Sequence, residues 1–373
     1  MKKLLLVRPF ANVMNVSTYN SQEIGLCKAF CQLGFDCDIV YFSMTNREEI
    51  VFHEKKNRVR IIWRKGIVFG TRAIYPDFLN PFKLWKYDII ISNEYDQIMS
   101  IFLALLHRNV YIYNGPYFNT FENDKRMRVY DSISVKICNL FVKCIFSKTD
   151  DATAFLKSKG LKKVITVGVG LDISHINKRI NNHSQITMNE HIGEHNILYV
   201  GTAEKRKRVG FIMKVFEAIC NDRDDVKLIV VGIKDKREVN RLLKSINITY
   251  RDHVLFMGKV ENEQMADIYR KSDCLVLASD EEIFGMVLLE AMYFKIPCIA
   301  ENVAGPKTVI EHRINGMLED GYNVGKWKAD IAYLLDHPDE RTRMGENAYE
   351  RVMSDFTWSK VVCKMFQDKM NRG

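Results

Sequence analysis

The sequence predicts an α/β protein of two doubly wound, Rossmann-like domains, each with a parallel sheet. A chain of 373 residues is too long for one ordinary hydrophobic core, which favours two domains. Short apolar runs alternate with segments of helical periodicity, as in βαβ units. The same alternation starts again after a polar stretch near the middle of the chain. We therefore predict a first domain at 1–168, a linker at 169–194 and a second domain at 195–356.

The first domain opens with a strand at 3–7, a helix at 21–33 and a strand at 37–42. Gly34 ends the helix, and this order is typical of a parallel βαβ unit. The loop from 8 to 20 contains no glycine, which excludes the G-x-G-x-x-G loop of a dinucleotide site. Its Ser, Thr and Asn content favours contact with a hydroxyl-rich ligand. Further along, we predict strands at 87–92, 109–113 and 163–167 and helices at 97–106, 133–146 and 147–159.

Positive charge is concentrated in the first half of the chain. Residues 1–165 hold 25 Lys and Arg against 15 Asp and Glu, whereas the remainder holds 30 against 31. Such an excess fits a membrane surface, a lipid phosphate or a simple solvated face. Within it, the basic stretch 55–72 is interleaved with apolar residues, which is compatible with an edge strand or with a segment lying on anionic lipid. No nucleic-acid-binding motif accompanies it, so we expect no nucleic-acid partner.

The cysteines and the start of the chain indicate a cytoplasmic protein. Nine cysteines are scattered without a C-x-x-C pair, which favours reduced, buried thiols. The apolar run at 4–7 is too short for a signal peptide, and no run approaches the roughly 18 residues of a membrane span. Histidines near the linker lack the spacing of a metal site, so we expect no metal.

The second domain repeats strand and helix in a regular order. We predict strands at 197–200, 227–232, 254–257, 274–278 and 297–300 and helices at 209–220, 238–246, 263–271 and 286–293. Residues 358–370 are predicted as a last helix. Polar or glycine-containing segments follow several of these strands, and in a parallel sheet such segments meet at one edge, where ligands bind.

The segment 274–299 carries the clearest functional pattern. A buried strand leads into an acidic loop, a Phe284-Gly285 turn and then a helix. Glu282 on the loop and Glu290 on the helix can each accept hydroxyl protons of one ligand. The amides of 285–287 lie at a helix start, where N–H groups lack helical partners and suit a phosphate.

A basic cluster is predicted at the same edge. Arg206 and Lys207 follow the strand 197–200 and could neutralise a diphosphate, and Thr202 lies between strand and cluster. Gly258 and Lys259 follow another strand. Two plainer interpretations remain open: the glutamates could serve a helix first turn, and the basic run could be a solvated surface.

The second half resembles the retaining nucleotide-sugar glycosyltransferases of the GT-B fold, of the group 1 or family 4-like type. Their E-x7-E signature lies in the setting E-x-F-G-x-x-x-x-E-A-M. The matching residues are Glu282, Phe284, Gly285, Glu290, Ala291 and Met292, followed by Ile296-Pro297, Gly305, the run Asn315-Gly316-Met317-Leu318 and Phe356-Thr357-Trp358. The resemblance covers roughly residues 195–373, and the first half matches more loosely.

The resemblance implies a role for each of these positions. Glu290 would hold the donor ribose, and Glu282 the hydroxyls of the donor sugar. Lys207 would bind phosphate. The donor diphosphate would lie on the amides of Gly285, Met286 and Val287 beside Phe284, and the base on Gly258, Lys259 and Val260. Such enzymes use a nucleotide-diphosphate sugar as donor substrate and need no cofactor.

Two positions depart from the family pattern. Thr202 stands where the family usually has an arginine, so Arg206 or Arg208 would have to substitute. Asn114, in the turn Asn114-Gly115-Pro116-Tyr117, stands where the family has a first-domain histidine. Asparagine can still donate a hydrogen bond to a sugar hydroxyl, and we keep Asn114 among the predicted catalytic residues with Glu282, Lys207 and Arg206.

The resemblance implies two Rossmann-like domains facing a central cleft, with the last helix at 357–373 crossing back to the first domain. We expect a hexosyltransferase with a saccharide acceptor in bacterial surface polysaccharide synthesis. The basic first half favours a lipid-diphosphate-linked acceptor and peripheral contact with the inner face of the cytoplasmic membrane. An epimerase or phosphorylase on the same fold, and a binding subunit without catalysis, remain alternatives.

Overall fold

The computed structural model describes residues 2–16, 21–119, 124–174, 176–177, 193–260 and 262–370, without the side chains of 124–127, 262–263 and 368–370. The chain divides into two compact units. The first comprises Met1–Asp172 and Thr357–Gly373, and the second Ile173–Phe356. Most of the predicted linker, residues 175 and 178–192, lies outside the described residues.

The first unit contains an eight-stranded sheet in the order β10-β9-β8-β7-β1-β2-β4-β3. Neighbouring strands are parallel except for the antiparallel pair β3 and β4. A separate antiparallel ribbon pairs β5 with β6. The strands are β1 (Lys2–Val7), β2 (Phe35–Phe42), β3 (Arg47–Glu54), β4 (Asn57–Arg64), β5 (Ile67–Phe69), β6 (Arg72–Ile74), β7 (Ile89–Asn93), β8 (Val110–Asn114), β9 (Val142–Ser147) and β10 (Val164–Thr166).

Helices cover this sheet, and one of them comes from the end of the chain. They are α1 (Gln22–Gln32), α2 (Pro81–Leu84), α3 (Ile98–Leu106), α4 (Asp124–Phe141), α5 (Asp150–Ser158) and, much later, α13 (Trp358–Met370). The Phe366 ring on α13 packs edge-on against Phe30, Tyr111 and Phe146, with centroids 5.3 to 5.8 Å apart. Thr357 also pairs in parallel with Leu171. The last helix therefore completes the core of the first unit.

The predicted helix at 133–146 was wrong at its carboxyl end. Helix α4 ends at Phe141, and Val142–Ser147 forms strand β9 between β8 and β10. Val142, Ile145 and Phe146 are buried there. Apolar spacing in this short run fits either structure, and pairing on both sides within the sheet decides for the strand.

The basic stretch at 55–72 begins one strand in from the edge of the sheet. Its first half forms β4, and Arg60 and Arg64 both bind Glu48 on the edge strand β3, at 2.7 and 2.6 Å. Val59 and Ile61 between them are buried. The edge-strand interpretation is wrong for Arg60 and Arg64, because β4 lies between β2 and β3 and the edge of the sheet is β3. Their charges are paired with carboxylates rather than gathered on one exposed face.

The second unit holds a six-stranded, wholly parallel sheet in the order β13-β12-β11-β14-β15-β16. Its strands are β11 (His195–Val200), β12 (Val226–Val231), β13 (Val254–Gly258), β14 (Cys274–Leu277), β15 (Cys298–Glu301) and β16 (Gly316–Glu319). Its helices are α6 (Val209–Cys220), α7 (Lys236–Leu243), α8 (Asn262–Arg270), α9 (Met286–Tyr293), α10 (Ala304–Val309), α11 (Val324–Asp336) and α12 (Pro338–Asp355). Because all six strands are parallel, the loops that follow them share one edge.

None of the described helices combines the length and the apolar character that crossing a membrane requires. The doubly wound α/β class predicted for both halves is confirmed, because each unit consists of a largely parallel sheet flanked by helices.

Candidate functional site

The loop between β14 and α9 is held in one conformation by a glycine. Gly285 directly precedes α9 and has φ +83°, in the left-handed region that favours glycine. A Cβ at this position would also lie 2.9 Å from the Leu288 side chain. Since α9 starts at Met286, the amides of Met286 and Val287 lie in its first turn, where backbone N–H groups lack intrahelical acceptors.

Glu282, on this loop, forms an ion pair with Lys207, which lies in the 3-10 turn Lys205–Lys207 after β11. Both side chains are mostly buried, at 13% and 12% exposed. An Nη of Arg206 lies 4.0 Å from the same Glu282 carboxylate and donates to the Glu281 carbonyl at 3.0 Å. The structure therefore brings three of the four predicted catalytic residues together at adjacent strand ends.

A second backbone segment fixes the Glu282 loop from the other side. The N–H of Gly305, in α10, donates to the Glu282 carbonyl at 2.9 Å. A Cβ on Gly305 would lie 2.7 Å from the Phe284 backbone and 2.8 Å from the Glu282 oxygen. Only glycine permits this approach, so Gly305 sets the position of the loop that carries Glu282.

Glu290 lies in the second turn of α9 and is oriented by an aromatic neighbour. The Tyr269 hydroxyl, from α8, donates to its carboxylate at 2.9 Å. The Tyr269 ring is stacked on Phe294, with centroids 5.3 Å apart. This packing fixes the hydroxyl and therefore the direction of the Glu290 carboxylate.

Three further predicted positions lie at the end of β13. Gly258 has φ +62°, and its carbonyl accepts from Gly232 N–H at 2.6 Å, which ties the end of β13 to that of β12. Lys259 is exposed and Val260 is half-buried. They share the sheet edge with Lys207, which follows β11, and with Glu282, which follows β14.

Thr202 begins a short polar chain along this edge. Its hydroxyl donates to Glu204 at 3.0 Å, and the Arg206 Nε donates to the other oxygen of that carboxylate at 2.8 Å. The hydrogen bond from Thr202, reinforced by the Arg206 charge, lowers the pKa of Glu204. The position that would carry the family's arginine is thus connected to Arg206 through Glu204.

Arg208, Asp280 and Tyr322 form a contact that the sequence did not reveal. The Arg208 guanidinium lies 4.0 Å above the Tyr322 ring, and both side chains bind Asp280. Burial opposes ionisation of Asp280, but these two hydrogen bonds outweigh it and lower its pKa. Arg206, rather than Arg208, is therefore the arginine beside Glu282. Tyr322 stands 42 positions from Asp280, beyond the reach of a local motif.

Asn114, in the first unit, is buried and uses both ends of its amide on the backbone. Its Oδ1 accepts from Tyr95 N–H at 3.2 Å, and its Nδ2 donates to the Pro116 carbonyl at 3.2 Å. These bonds hold two loops at the carboxyl ends of β7 and β8. Asn114 therefore positions these two loops, and its catalytic role stays a prediction.

Glu94, next to Asn114, is a functional candidate that sequence reasoning missed. It is the residue after β7, has φ +62°, and accepts from Gly115 N–H at 3.1 and 3.4 Å. Burial raises its pKa to about 8, against the opposing charge of Lys148. Near neutral pH the carboxyl group therefore carries a proton, which makes it both a donor and an acceptor.

Further polar groups lie along this edge of the first sheet. Asn93 donates to Glu23 at 2.8 Å, and Arg8 lies 3.7 Å from the same carboxylate. The Oδ1 of Asn93 and the Oε1 of Gln97 are buried without a hydrogen-bond partner among the described residues. Such acceptors are rare in folded proteins and mark places for water or a polar ligand. In the loop predicted to contact a ligand, Arg8 donates to Asn12 at 2.7 Å, whereas 17–20 lie outside the described residues.

Within the described part of the chain, no group of three or more His, Cys, Asp or Glu residues is arranged to hold a metal ion. Both edges are instead built from carboxylates paired with cations, amides and glycine-lined loops.

Comparison with known proteins finds a family similarity in the second half of the chain. Residues 187–351 match the family described as glycosyl transferases group 1. N-acetyl-alpha-D-glucosaminyl L-malate synthase from Bacillus anthracis is 37% identical over 168 residues, which are 44% of this chain and 42% of that protein. Spore coat protein SA from Bacillus subtilis is 28% identical over 254 residues, 63% of this chain and 67% of that protein. The match thus spans less than half the length of the first of these relatives.

Solved structures match the whole chain. Sucrose-phosphate synthase from Thermosynechococcus elongatus aligns with a TM-score of 0.72 at 18% identity, covering 100% of this chain and 99% of that one. Anabaena HepE, in complex with UDP, aligns with a TM-score of 0.71 at 14% identity over 100% of both chains. At these identities the likeness shows the fold, which is GT-B.

Proposed function

We propose that this chain, which has the GT-B fold and matches the glycosyl transferases group 1 through residues 187–351, transfers a hexose-type sugar from a nucleotide-diphosphate sugar to a saccharide acceptor. One observation carries the proposal. The ion pair of Glu282 with Lys207, with Arg206 at 4.0 Å, lies beside the start of α9. Cations, a carboxylate and helix amides at one strand edge are what a sugar diphosphate requires.

The donor would bind along the edge of the second sheet. Its diphosphate lies on the amides of 285–287 with Lys207 and Arg206 as counter-charges, its ribose on Glu290 and its sugar hydroxyls on Glu282. The base contacts the backbone at 258–260. We propose uridine as the base, since HepE was solved with UDP-glucose and TarM with UDP.

The proposed reaction retains the configuration at the anomeric carbon. An acceptor hydroxyl oxygen forms a bond to that carbon while the bond from the carbon to the diphosphate oxygen breaks. The hydroxyl proton passes to the departing diphosphate. Lys207 and Arg206 stabilise the charge that develops on the leaving group, which is the principal electrostatic contribution available here.

The acceptor would be recognised by the first unit. Protonated Glu94 can donate to a sugar hydroxyl, and the unpaired oxygens of Asn93 and Gln97 can accept from one. Support for a saccharide comes also from TarM, whose structure holds alpha-GlcNAc-glycerol and UDP. We further propose that the acceptor is lipid-diphosphate-linked, that the product belongs to bacterial surface polysaccharide, and that the enzyme works at the inner membrane face.

A donor-hydrolysis screen tests the core of this proposal without an acceptor. Purified protein is incubated with UDP-, GDP-, ADP- and dTDP-hexoses, and release of the nucleoside diphosphate is measured. We expect release from UDP-sugars, with the anomeric configuration retained in the sugar product by NMR. Isomerised donor without release would indicate an epimerase, and release only with added phosphate a phosphorylase. Binding of donors without any turnover would indicate a non-catalytic subunit.

A further inference from the structure

A large cavity lies within the first unit, away from the residues described above. Its volume is about 1200 Å³. Its wall includes residues at or just before the starts of four strands: Lys2 of β1, Phe35 of β2, Ile89 of β7 and Asn109 before β8. In a parallel sheet the starts lie opposite the carboxyl ends. The cavity is therefore on the far edge of the sheet from Glu94 and Asn93.

The lining is largely apolar and continues onto the surface. Four of its hydrophobic side chains are strongly exposed: Leu33 at 62%, Trp85 at 66%, Leu105 at 49% and Phe141 at 45%. Helix α13 contributes Phe366 to the same wall. Contiguous exposed apolar surface of this kind is uncommon on a monomeric protein and marks a site of interaction.

Positive charge surrounds this apolar opening. Lys2, Arg108 and Lys143 line the cavity, all are exposed, and none forms an ion pair with a carboxylate of the described residues. Among the described residues of the lining, Asp88 is the one with an acidic side chain, and its carboxylate accepts the N–H of Lys3 at 2.7 Å. His107 is buried, which lowers its pKa and keeps the ring neutral near pH 7. Among the described residues, the opening therefore presents three cations against one carboxylate beside hydrophobic surface.

We propose that this cavity is a binding site for an anionic phospholipid, by which the first unit docks on a membrane surface. The acyl chain would enter between the hydrophobic walls, and the headgroup phosphate would lie on Lys2, Arg108 and Lys143. Apolar depth with a cationic rim matches this chemistry, because lipid binding gains from both buried hydrocarbon and opposite charge. A soluble sugar phosphate is too polar to bind the exposed apolar side chains of Trp85 and Leu33.

The site deepens the proposed function, since a lipid-linked acceptor requires the enzyme at a membrane. Its test is nevertheless independent of catalysis, because lipid binding is measured with the donor absent. A protein that hydrolyses UDP-sugars without binding vesicles retains the proposed function and loses this site. A protein that binds anionic vesicles but does not hydrolyse UDP-sugars retains the lipid site and loses the proposed function.

Trp85 provides an intrinsic reporter for the test. The chain has four tryptophans, and Trp63, Trp327 and Trp358 are at most 4% exposed, so a change in Trp fluorescence on docking arises from Trp85. The full-length protein is titrated with vesicles of phosphatidylcholine alone and with vesicles containing phosphatidylglycerol. We expect a blue shift and co-flotation only with the anionic vesicles. Brominated acyl chains in the vesicles should quench the signal.

Two pairs of variants separate the apolar and the charged contributions. Leu33→Ser with Leu105→Ser, and Arg108→Glu with Lys143→Glu, should each weaken vesicle binding by about tenfold or more. The matched controls lie in the second unit: Ile248→Ser with Ile314→Ser, 73% and 51% exposed, and the exposed Lys244→Glu. Because all these positions are exposed, thermal unfolding should stay unchanged and verifies that the variants are folded.

Three results would overturn the site. Equal binding to neutral and anionic vesicles would show that the cations do not contribute to lipid binding. Unaltered binding by both variant pairs would show that the lipid does not bind at this cavity. In the third result, the wild type binds no vesicles and instead self-associates in sedimentation. If Leu33→Ser with Leu105→Ser abolishes that self-association, the surface binds a second copy of the chain.

Discussion

Glu282 and Lys207 stand 75 positions apart in the chain, and their side chains meet as an ion pair at adjacent ends of β11 and β14. The carboxylate that we propose for sugar hydroxyls and the ammonium that we propose for phosphate are thus paired with each other in the free protein. A donor that enters exchanges part of this pairing for its own charges. The site is preorganised, so each partner should matter for catalysis as well as for binding.

Lys207→Ala should lower transfer from the nucleotide sugar by about 100-fold or more, mainly in kcat, because a buried cation beside the leaving diphosphate is lost. The measurement is steady-state release of nucleoside diphosphate. Lys214→Ala on α6 provides the control, since Lys214 is exposed. A near-normal kcat in Lys207→Ala would show that Lys207 does not contribute to the chemical step.

The bond from Tyr269 to Glu290 leads to a separate effect on donor affinity. Glu290→Gln removes the charge that would hold the ribose hydroxyls and should raise the donor KM about tenfold or more. Tyr269→Phe keeps the carboxylate but frees its orientation, so we expect about a threefold rise in KM with kcat unchanged. Tyr293→Phe, on the same helix as Glu290 and bonded to Asn177 instead, should leave the donor KM unaltered. Equal KM values in all three variants would contradict the ribose contact.

Gly305→Ala should impair catalysis without contacting the donor. The added methyl group would press on the backbone of Phe284 and Glu282, and the loop must shift to admit it. We expect a fall of about tenfold or more in kcat/KM and a loss of about 1 to 3 kcal/mol in unfolding free energy. Gly210→Ala in α6 is the matched control, because a Cβ there meets no atom within 4 Å and helix propensity favours alanine. A fully active Gly305→Ala would show that the loop position is not critical.

The buried Glu94 should make stability depend on pH. Its pKa is raised to about 8 in the folded protein, so between the ordinary glutamate value of 4.5 and about 8 the folded state binds the extra proton. The contribution is present at low pH and is lost as pH rises through this window, by up to about 1.4 kcal/mol per pH unit.

Glu94→Gln removes this proton while preserving the side-chain shape. The free energy of unfolding is measured by urea denaturation at several pH values from 5 to 8, and the difference between wild type and variant isolates Glu94 from other titrating groups. We expect the wild type to lose stability relative to Glu94→Gln as pH increases. Parallel curves would mean that Glu94 is already ionised in the folded state.

Local sequence patterns were sufficient to predict much of the candidate site at the edge of the second sheet. The eight-residue interval from Glu282 to Glu290 spans only the end of a loop and the start of α9, and the helix Met286–Tyr293 was predicted with its observed bounds. Lys207 lies in the turn that follows β11, so its place at this edge of the sheet could be predicted from the parallel order of the strands. Trp358–Met370 was likewise predicted as observed, because its flanking residues and periodicity are local signals.

Features that depend on distant partners were not predictable in the same way. Asp280 is ordered by Arg208 and Tyr322, and Glu94 gains its high pKa from burial beside Gly115, which no local spacing encodes. The sequence predicts a helix where β9 lies, because the spacing of apolar residues in a short run fits a strand and a helix equally well. The cavity walls come from α1, α3, α4 and α13, and only the folded chain brings these together.

The place of α13 in the first core delays the completion of that core during synthesis. The second unit is continuous from Ile173 to Phe356, whereas the first needs residues beyond it. Until Phe366 has been translated, Phe30, Tyr111 and Phe146 lack a covering ring. The first unit, although most of it is synthesised first, therefore completes its core only when the last helix is available. This departs from the usual order, in which an amino-terminal domain folds as soon as it has been made.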